Sequence, residues 1–201
     1  AIDPQDLTSL RTLYQREYQQ LPFSKDRQQH ILNAILIKSY MKAIDETVTL
    51  TSEEERVLHD YLFSVEIWGL YELLFFSSCS PLLSIQLFTK YTREMLRKSD
   101  FLQGVGKNRN MMHTLLLNAF MACIEIDDFT NALYFKKQIE KNFFEENETY
   151  FRIVYLWAEG LLDSKQGRAE EGQRKMEDAV RIFEMIGCSK SADYYRSAME
   201  Y

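Results

Sequence analysis

The chain has 201 residues, 24 of them basic and 30 acidic, for a formal net charge of −6. Seven glycines and three prolines are too few for a loop-rich all-β protein and suit long helices. The acidic balance argues against this chain itself gripping nucleic acid, because that affinity comes from Lys and Arg neutralising phosphates. Cys79, Cys123 and Cys188 are odd in number, far apart and without a CxxC pair, which fits reduced thiols in a cytoplasmic protein rather than disulfides or zinc. The sequence opens without Met and without a signal-peptide pattern, so a piece of a longer, non-exported protein is expected.

Asp3–Pro4 joins an N-cap to a first-turn proline, and Leu7, Leu10, Tyr14 and Tyr18 share one stripe, so a first helix is predicted to Gln20. Ser24 caps a predicted second helix to Ile44, with Ile31, Ala34, Ile35, Lys38 and Met41 in register and Lys38 the one interruption. TVTLT follows, β-branched and without an apolar stripe. The run from Ser52 to Phe76 then reads as one central helix. Ser52 and Glu55 have capping-box spacing. Leu58, Leu62, Val65 and Gly69 form one face, while Phe63, Ile67, Leu70 and Leu74 make the opposite face apolar as well, so burial on every side is expected. Its length, with Glu66 and Glu72 inside it, excludes a membrane span.

Ser80–Pro81 repeats the cap-then-proline signature, and Leu82, Ile85, Phe88, Tyr91 and Met95 carry a fourth helix to Lys98. Residues 99–110, with Gly104 and Gly106, read as a flexible loop. A fifth helix turns Met112, Leu115, Leu116, Ala119, Phe120 and Cys123 inward, and Asp127–Asp128 ends it and caps a sixth with Phe129, Ala132, Leu133, Lys136 and Ile139. Asn147 opens a seventh bearing Phe151, Val154, Tyr155, Trp157, Ala158 and Leu161. Gly160, Gly167, Gly172, Met176 and Ala179 then fall where a tetratricopeptide unit places small, turn, small, large and small residues. Small residues let antiparallel helices approach closely. Gly187 stops helix eight, and a short terminal helix follows. The expected architecture is all-α: a right-handed, tetratricopeptide-like α-solenoid of nine helices in antiparallel pairs, spanning 1–201.

Catalytic patterns are missing. His30, His59 and His113 form no HExxH and have no neighbouring Cys, no phosphate-binding loop exists, and the Glu-x-x-His pair of di-iron bundles is absent. No enzyme, metal or cofactor is expected. Glu72 in an apolar run is either a ligand-facing carboxylate or one satisfied by a helix N-terminus or an Arg, the latter being favoured. Trp68 and Trp157 read as core before ligand platform. Asn118, inside HTLLLNAFMAC, offers donor and acceptor either to an extended peptide backbone or to a neighbouring helix. Arg109 and Arg152, near the starts of the fifth and seventh helices, could reach a ligand carboxylate across a groove, or stand solvated on the surface.

Three stretches in order, LHDYLFSVEIWGLYELLFF, LLLNAFMACIEIDDFTNALYF and GLLDSKQGRAEEGQRKMEDAVRIFEMIG, resemble the C-terminal domain of the Rgg/GadR/MutR family of Gram-positive transcriptional regulators. Trp68–Gly69–x–Tyr71–Glu72–Leu73 is the most specific part, and the likeness covers the chain from the second helix onward. The resemblance implies the sensing and homodimerising half of a quorum-sensing-type regulator, with DNA reached only through an N-terminal helix-turn-helix domain absent from this chain. It also implies a short hydrophobic peptide in a concave groove, against Trp68, Tyr71 and Tyr155. Asn118 would hold the peptide backbone and Arg109 or Arg152 its carboxylate; Glu72 and Asn118 lie in the family-like stretches, whereas the arginines rest on position. Helices from Arg168 to Tyr201 are the expected dimer surface. A tetratricopeptide-like adaptor for a protein partner and a peptide-independent regulator of the same family are the alternatives.

Overall fold

Helix follows helix through residues 4–98, 106–141 and 145–199, which the computed structural model describes, and among them there is no strand. The ten helices are α1 (Pro4–Gln20), α2 (Arg27–Lys42), α3 (Ser52–Ser64), α4 (Leu70–Cys79), α5 (Ile85–Lys98), α6 (Gly106–Glu125), α7 (Phe129–Lys141), α8 (Thr149–Lys165), α9 (Ala169–Met185) and α10 (Ser189–Ser197). A 3₁₀ turn, Ser80–Leu82, precedes α5. The chain divides into two compact units, Ala1–Met111 and Met112–Tyr201, each with its own core. The all-α class stands, with one helix more than the expected nine.

In the first unit, Leu58, Leu62, Trp68, Leu73, Phe76 and Met95 are fully enclosed. The extra helix comes from the central run, which is not one helix. α3 ends at Ser64 and α4 begins at Leu70, with Val65 extended (φ −65°, ψ 114°) and Gly69 extended as the α4 N-cap. Val65, Ile67 and Trp68 are poor helix formers, and leaving the helix lets Trp68 enter the core edge-on to Phe76, with ring centroids 5.4 Å apart. Lys98 Nζ donates to the Val65 carbonyl at 2.7 Å, so a helix-end acceptor is satisfied. The expected burial on every side is therefore corrected: Phe63, Ile67, Tyr71 and Leu74 are exposed.

The cap of α3 also sits one residue earlier than expected. Thr51 Oγ1 accepts from the Glu54 amide and Glu54 Oε2 from the Thr51 amide, because Glu54 is the carboxylate that faces inward. α2 starts at Arg27 rather than at Ser24, whose hydroxyl accepts from the Asp26 amide in the preceding turn. Ser80–Pro81 makes the 3₁₀ turn, and Ser84 Oγ accepts from the Leu87 amide at the start of α5. Of the predicted 99–110 loop, residues 99–105, Gly104 among them, lie outside the described residues, as does Asp3; Gly106 to Asn110 are helical.

The second unit is periodic. α7, α8, α9 and α10 begin at Phe129, Thr149, Ala169 and Ser189, twenty residues apart. Asp127, Gly167 and Gly187 precede α7, α9 and α10 with left-handed φ of 59°, 89° and 78°. After each, the next amide reaches back to close the preceding helix, Asp128 to Cys123, Arg168 to Asp163 and Cys188 to Phe183, which is the Schellman closure. The two-helix unit of forty residues is longer than the roughly 34 of a tetratricopeptide. Its helix contact nevertheless uses the predicted residues. A Cβ on Gly160 would lie 2.6 Å from the Gly172 carbonyl oxygen, and one on Gly172 would overlap the Gly160 carbonyl and Ser164. Met176 and Ala179 are buried beside them.

Candidate ligand-binding surfaces

Asn118 sits in the middle of α6 with its chain neighbours Leu115, Leu116, Leu117, Ala119 and Phe120 all buried, yet Asn118 itself is exposed. No hydrogen bond to another described residue engages its amide. It belongs to an outward stripe at helical spacing with Thr114, Met121, Ala122 and Glu125, none of which is buried. A lone planar amide on such a stripe presents both donor and acceptor outward.

α8 lies beside α6. Phe120 and Tyr155 rings are 6.1 Å apart, His113 and Phe151 5.5 Å, and His113 Nε2 stands 3.4 Å from Glu148. Arg152, on the first turn of α8, is exposed and donates through Nε to the Glu145 carbonyl at 3.3 Å. Tyr155 is buried, and its hydroxyl donates to Glu140 at 3.0 Å. Burial, reinforced by the charge of Glu159 and the bond to Glu140, pushes this phenol well above its ordinary range. Tyr155 is thus a packed, neutral link between α7 and α8 that leaves its ring little accessible surface.

In the first unit, Trp68 is 0% exposed, so it supports the surface from beneath. Its indole N–H and that of the buried Trp157 have no hydrogen-bond partner among the described residues. Tyr71 is 52% exposed and stacks beside Phe75 at 6.3 Å. Glu72 is half-buried in the first turn of α4, not enclosed in a long helix, and its carboxylate folds back over Gly69. That end of a helix favours negative charge. Burial, with the Glu72 charge added, pushes the neighbouring Tyr61 phenol up to about 12. Arg109, half-buried near the start of α6, is engaged in interactions of its own. Trp68, Tyr71, Glu72 and Arg109 therefore belong to the first unit, and Asn118, Arg152 and Tyr155 to the second.

Sequence reasoning missed the strongest polar cluster. Glu54, fully enclosed, accepts from Tyr14 (2.9 Å), Tyr18 (3.1 Å) and Lys38 Nζ (2.6 Å), and Lys38 also donates to the Thr49 carbonyl. The signal was Lys38, a lone cation in an apolar stripe, which needs a buried anion. A groove of about 810 Å³ in the second unit was also unforeseen; Met176 and Val180 form its floor, with Lys165, Arg181 and Arg196 among its margins.

The family described as "HTH-type transcriptional regulator Rgg, C-terminal domain" matches residues 12–197. The chain belongs to that family. Among solved structures, a cysteine-to-serine variant of the SHP pheromone receptor Rgg2 of Streptococcus dysgalactiae shares 26% identity, with a TM-score of 0.79 over 98% of this chain and 72% of that one. The unsubstituted receptor gives 26% and 0.75 over 93% and 73%. A Listeria monocytogenes EGD-e protein assigned to transcriptional regulation shares the fold at 18% identity, with a TM-score of 0.78 over 98% and 68%. This chain is accordingly an Rgg-type regulatory domain. No helix among its described residues is long and apolar enough to cross a membrane.

Proposed function

We propose that this Rgg domain binds a short hydrophobic peptide, dimerises, and so controls an attached helix-turn-helix domain that contacts DNA in the cytoplasm. The observation that carries the peptide reading is Asn118, an open amide on the outward stripe of a helix whose Leu115, Leu116, Leu117, Ala119 and Phe120 beside it are buried. An extended peptide backbone would receive a hydrogen bond and donate one there, with Arg152 on the adjacent helix as the partner for its carboxylate. Exposed Tyr71 and half-buried Glu72 form a separate set for apolar and polar contacts, and Arg109 a second cation. Trp68 and Tyr155 would act by fixing the walls. The pheromone receptors similar to this chain support a peptide as the ligand class. α9 and α10 are the proposed dimer elements, supported by exposed Met185, Ile186 and Tyr194.

Thermal shift against a panel of short hydrophobic peptides tests the reading. A peptide present at a hundredfold its dissociation constant adds about 2.7 kcal/mol, a rise of several degrees for a domain of this size. The shift is expected to be selective among peptides and to vanish in Asn118→Ala. A folded protein that responds to no peptide would shift the assignment to a peptide-independent regulator.

A further inference from the structure

α10 has nine residues, whereas α8 and α9, which it meets through Tyr195 against Trp157 and Phe183, have seventeen each. Where the short helix ends, at Ala198 and Met199, the groove of about 810 Å³ opens, bounded by residues of all three helices. Its size falls within the roughly 300–1,000 Å³ typical of small-molecule sites. Leu161, Met176 and Val180 make its interior apolar, and Met176 and Val180 are buried, so this surface stands ready before any ligand arrives. The flexible thioethers of Met176 and Met199 suit an apolar body of irregular outline.

The charged lining is uneven. Each helix supplies one cation, Lys165 from α8, Arg181 from α9 and Arg196 from α10, while both carboxylates, Glu177 and Glu184, stand on α9. The carboxylates are engaged within the lining itself: Glu184 by Arg196, and Glu177 by the Gln173 amide at 2.9 Å. Lys165 and Arg181 instead meet Asp127 at 3.1 Å and Asp178 at 2.8 Å, two residues outside the lining. Both of those pairs are open to solvent, so each is worth little and is readily exchanged. What the groove offers a ligand is therefore apolar surface and two exchangeable cations. We propose that it binds an amphipathic carboxylate, an aliphatic chain with one terminal acid. The chain would lie on Met176 and Val180. The carboxylate would take the place of Asp178 on the Arg181 guanidinium, whose planar fork suits two oxygens, and Lys165 would add positive charge to the mouth. None of these residues belongs to the set proposed for the peptide, so the two readings stand or fall separately. Met185, Ile186 and Tyr194, which support the proposed dimer, do not line the groove either.

Undecanoate carrying a dansyl group at its far end, whose fluorescence rises on leaving water, serves as the probe. Decanoate, decanol and decyltrimethylammonium compete for its site, all below micelle-forming concentrations. The probe is expected to bind saturably, and decanoate to displace it at least tenfold more effectively than the alcohol or the ammonium. Ala169→Trp, which fills the groove from an exposed position, should abolish binding, and Arg181→Glu should weaken decanoate at least tenfold. Gln173→Trp, also from an exposed lining position, repeats the first test should Ala169→Trp fail to fold by circular dichroism. Asn118→Ala should bind the probe as wild type does; a loss there would put the probe in the proposed peptide site and overturn the proposal. No saturable binding, competitors of equal strength, or binding unchanged in the filled groove overturns it as well. So does a dimer, seen by light scattering, that Ala169→Trp dissociates while no probe is taken up, because the occupant is then a second copy.

Discussion

Glu54 is the residue on which the first unit depends most. It is fully enclosed and accepts from two tyrosines, one lysine and a backbone amide. Burial pushes its carboxyl up, and the bonds from Lys38, Thr51 and Tyr14 outweigh that and hold it below the usual carboxylate range. Removing it by Glu54→Ala leaves the Lys38 ammonium enclosed without its anion, so urea unfolding should show a loss of about 3–5 kcal/mol. A lowered value means the folded state binds the proton less readily than the unfolded chain. The stabilisation from Glu54 is therefore complete at neutral pH and is lost as pH falls through the folded-state titration. The difference in stability between wild type and Glu54→Gln should accordingly shrink below about pH 4; a difference that stays constant into strong acid would contradict it. Asp163 behaves alike: burial raises its carboxyl, and Lys175 and Arg168, each at 2.5 Å, overcome this and lower it.

Elements differ in how they are held. None of the described side chains of α1 is buried, and its attachments are polar: Tyr14 and Tyr18 to Glu54, and Glu17 to His30 at 2.7 Å and to Asn33 at 3.3 Å. Hydrogen exchange should therefore find α1 opening ahead of α2, whose Ile31, Leu32, Ala34 and Ile35 are core. Tyr14→Phe with Tyr18→Phe should speed α1 exchange further and leave α2 unchanged; equal protection of both helices would show α1 to be part of the core. The α8–α9 pair depends on backbone approach instead. Gly172→Ala should cost about 1–3 kcal/mol through overpacking, since the added methyl would meet Gly160 and Ser164 backbone. This contact was legible in the sequence because small residues at helical spacing have few other uses. The break at 65–69 was not legible. An unbroken apolar run reads the same whether it is one enclosed helix or two helices joined by an extended segment that tucks Trp68 inward. Local patterning carries no information on which apolar residues the turn leaves outside. The cap at Thr51 rather than Ser52 was decided by Lys38, distant in sequence.

At the scale of the whole molecule, a chain of net charge −6 folds as a regulatory domain of the Rgg family with a core in each of its two units. The fold class and the helix pairs of the second unit were readable from caps, turn residues and small residues. Of the candidate site, Asn118 stood out in the sequence by its residue type, whereas its exposure was not legible, because α6 is apolar on nearly every side and its outward stripe emerges only once the neighbouring helices are placed. Trp68, read from its type as core before platform, is fully enclosed, and Tyr155, which the family resemblance set against the peptide, is buried as well. The most direct test of the peptide-sensing account is photocrosslinking. A peptide that raises the melting temperature is given a photoreactive residue, and its adducts on the domain are mapped by mass spectrometry. Adducts on the outward stripe of α6 around Asn118 and on the first turns of α8, lost in Asn118→Ala, are the predicted result; adducts confined to α9 and α10, unaffected by that substitution, would contradict it.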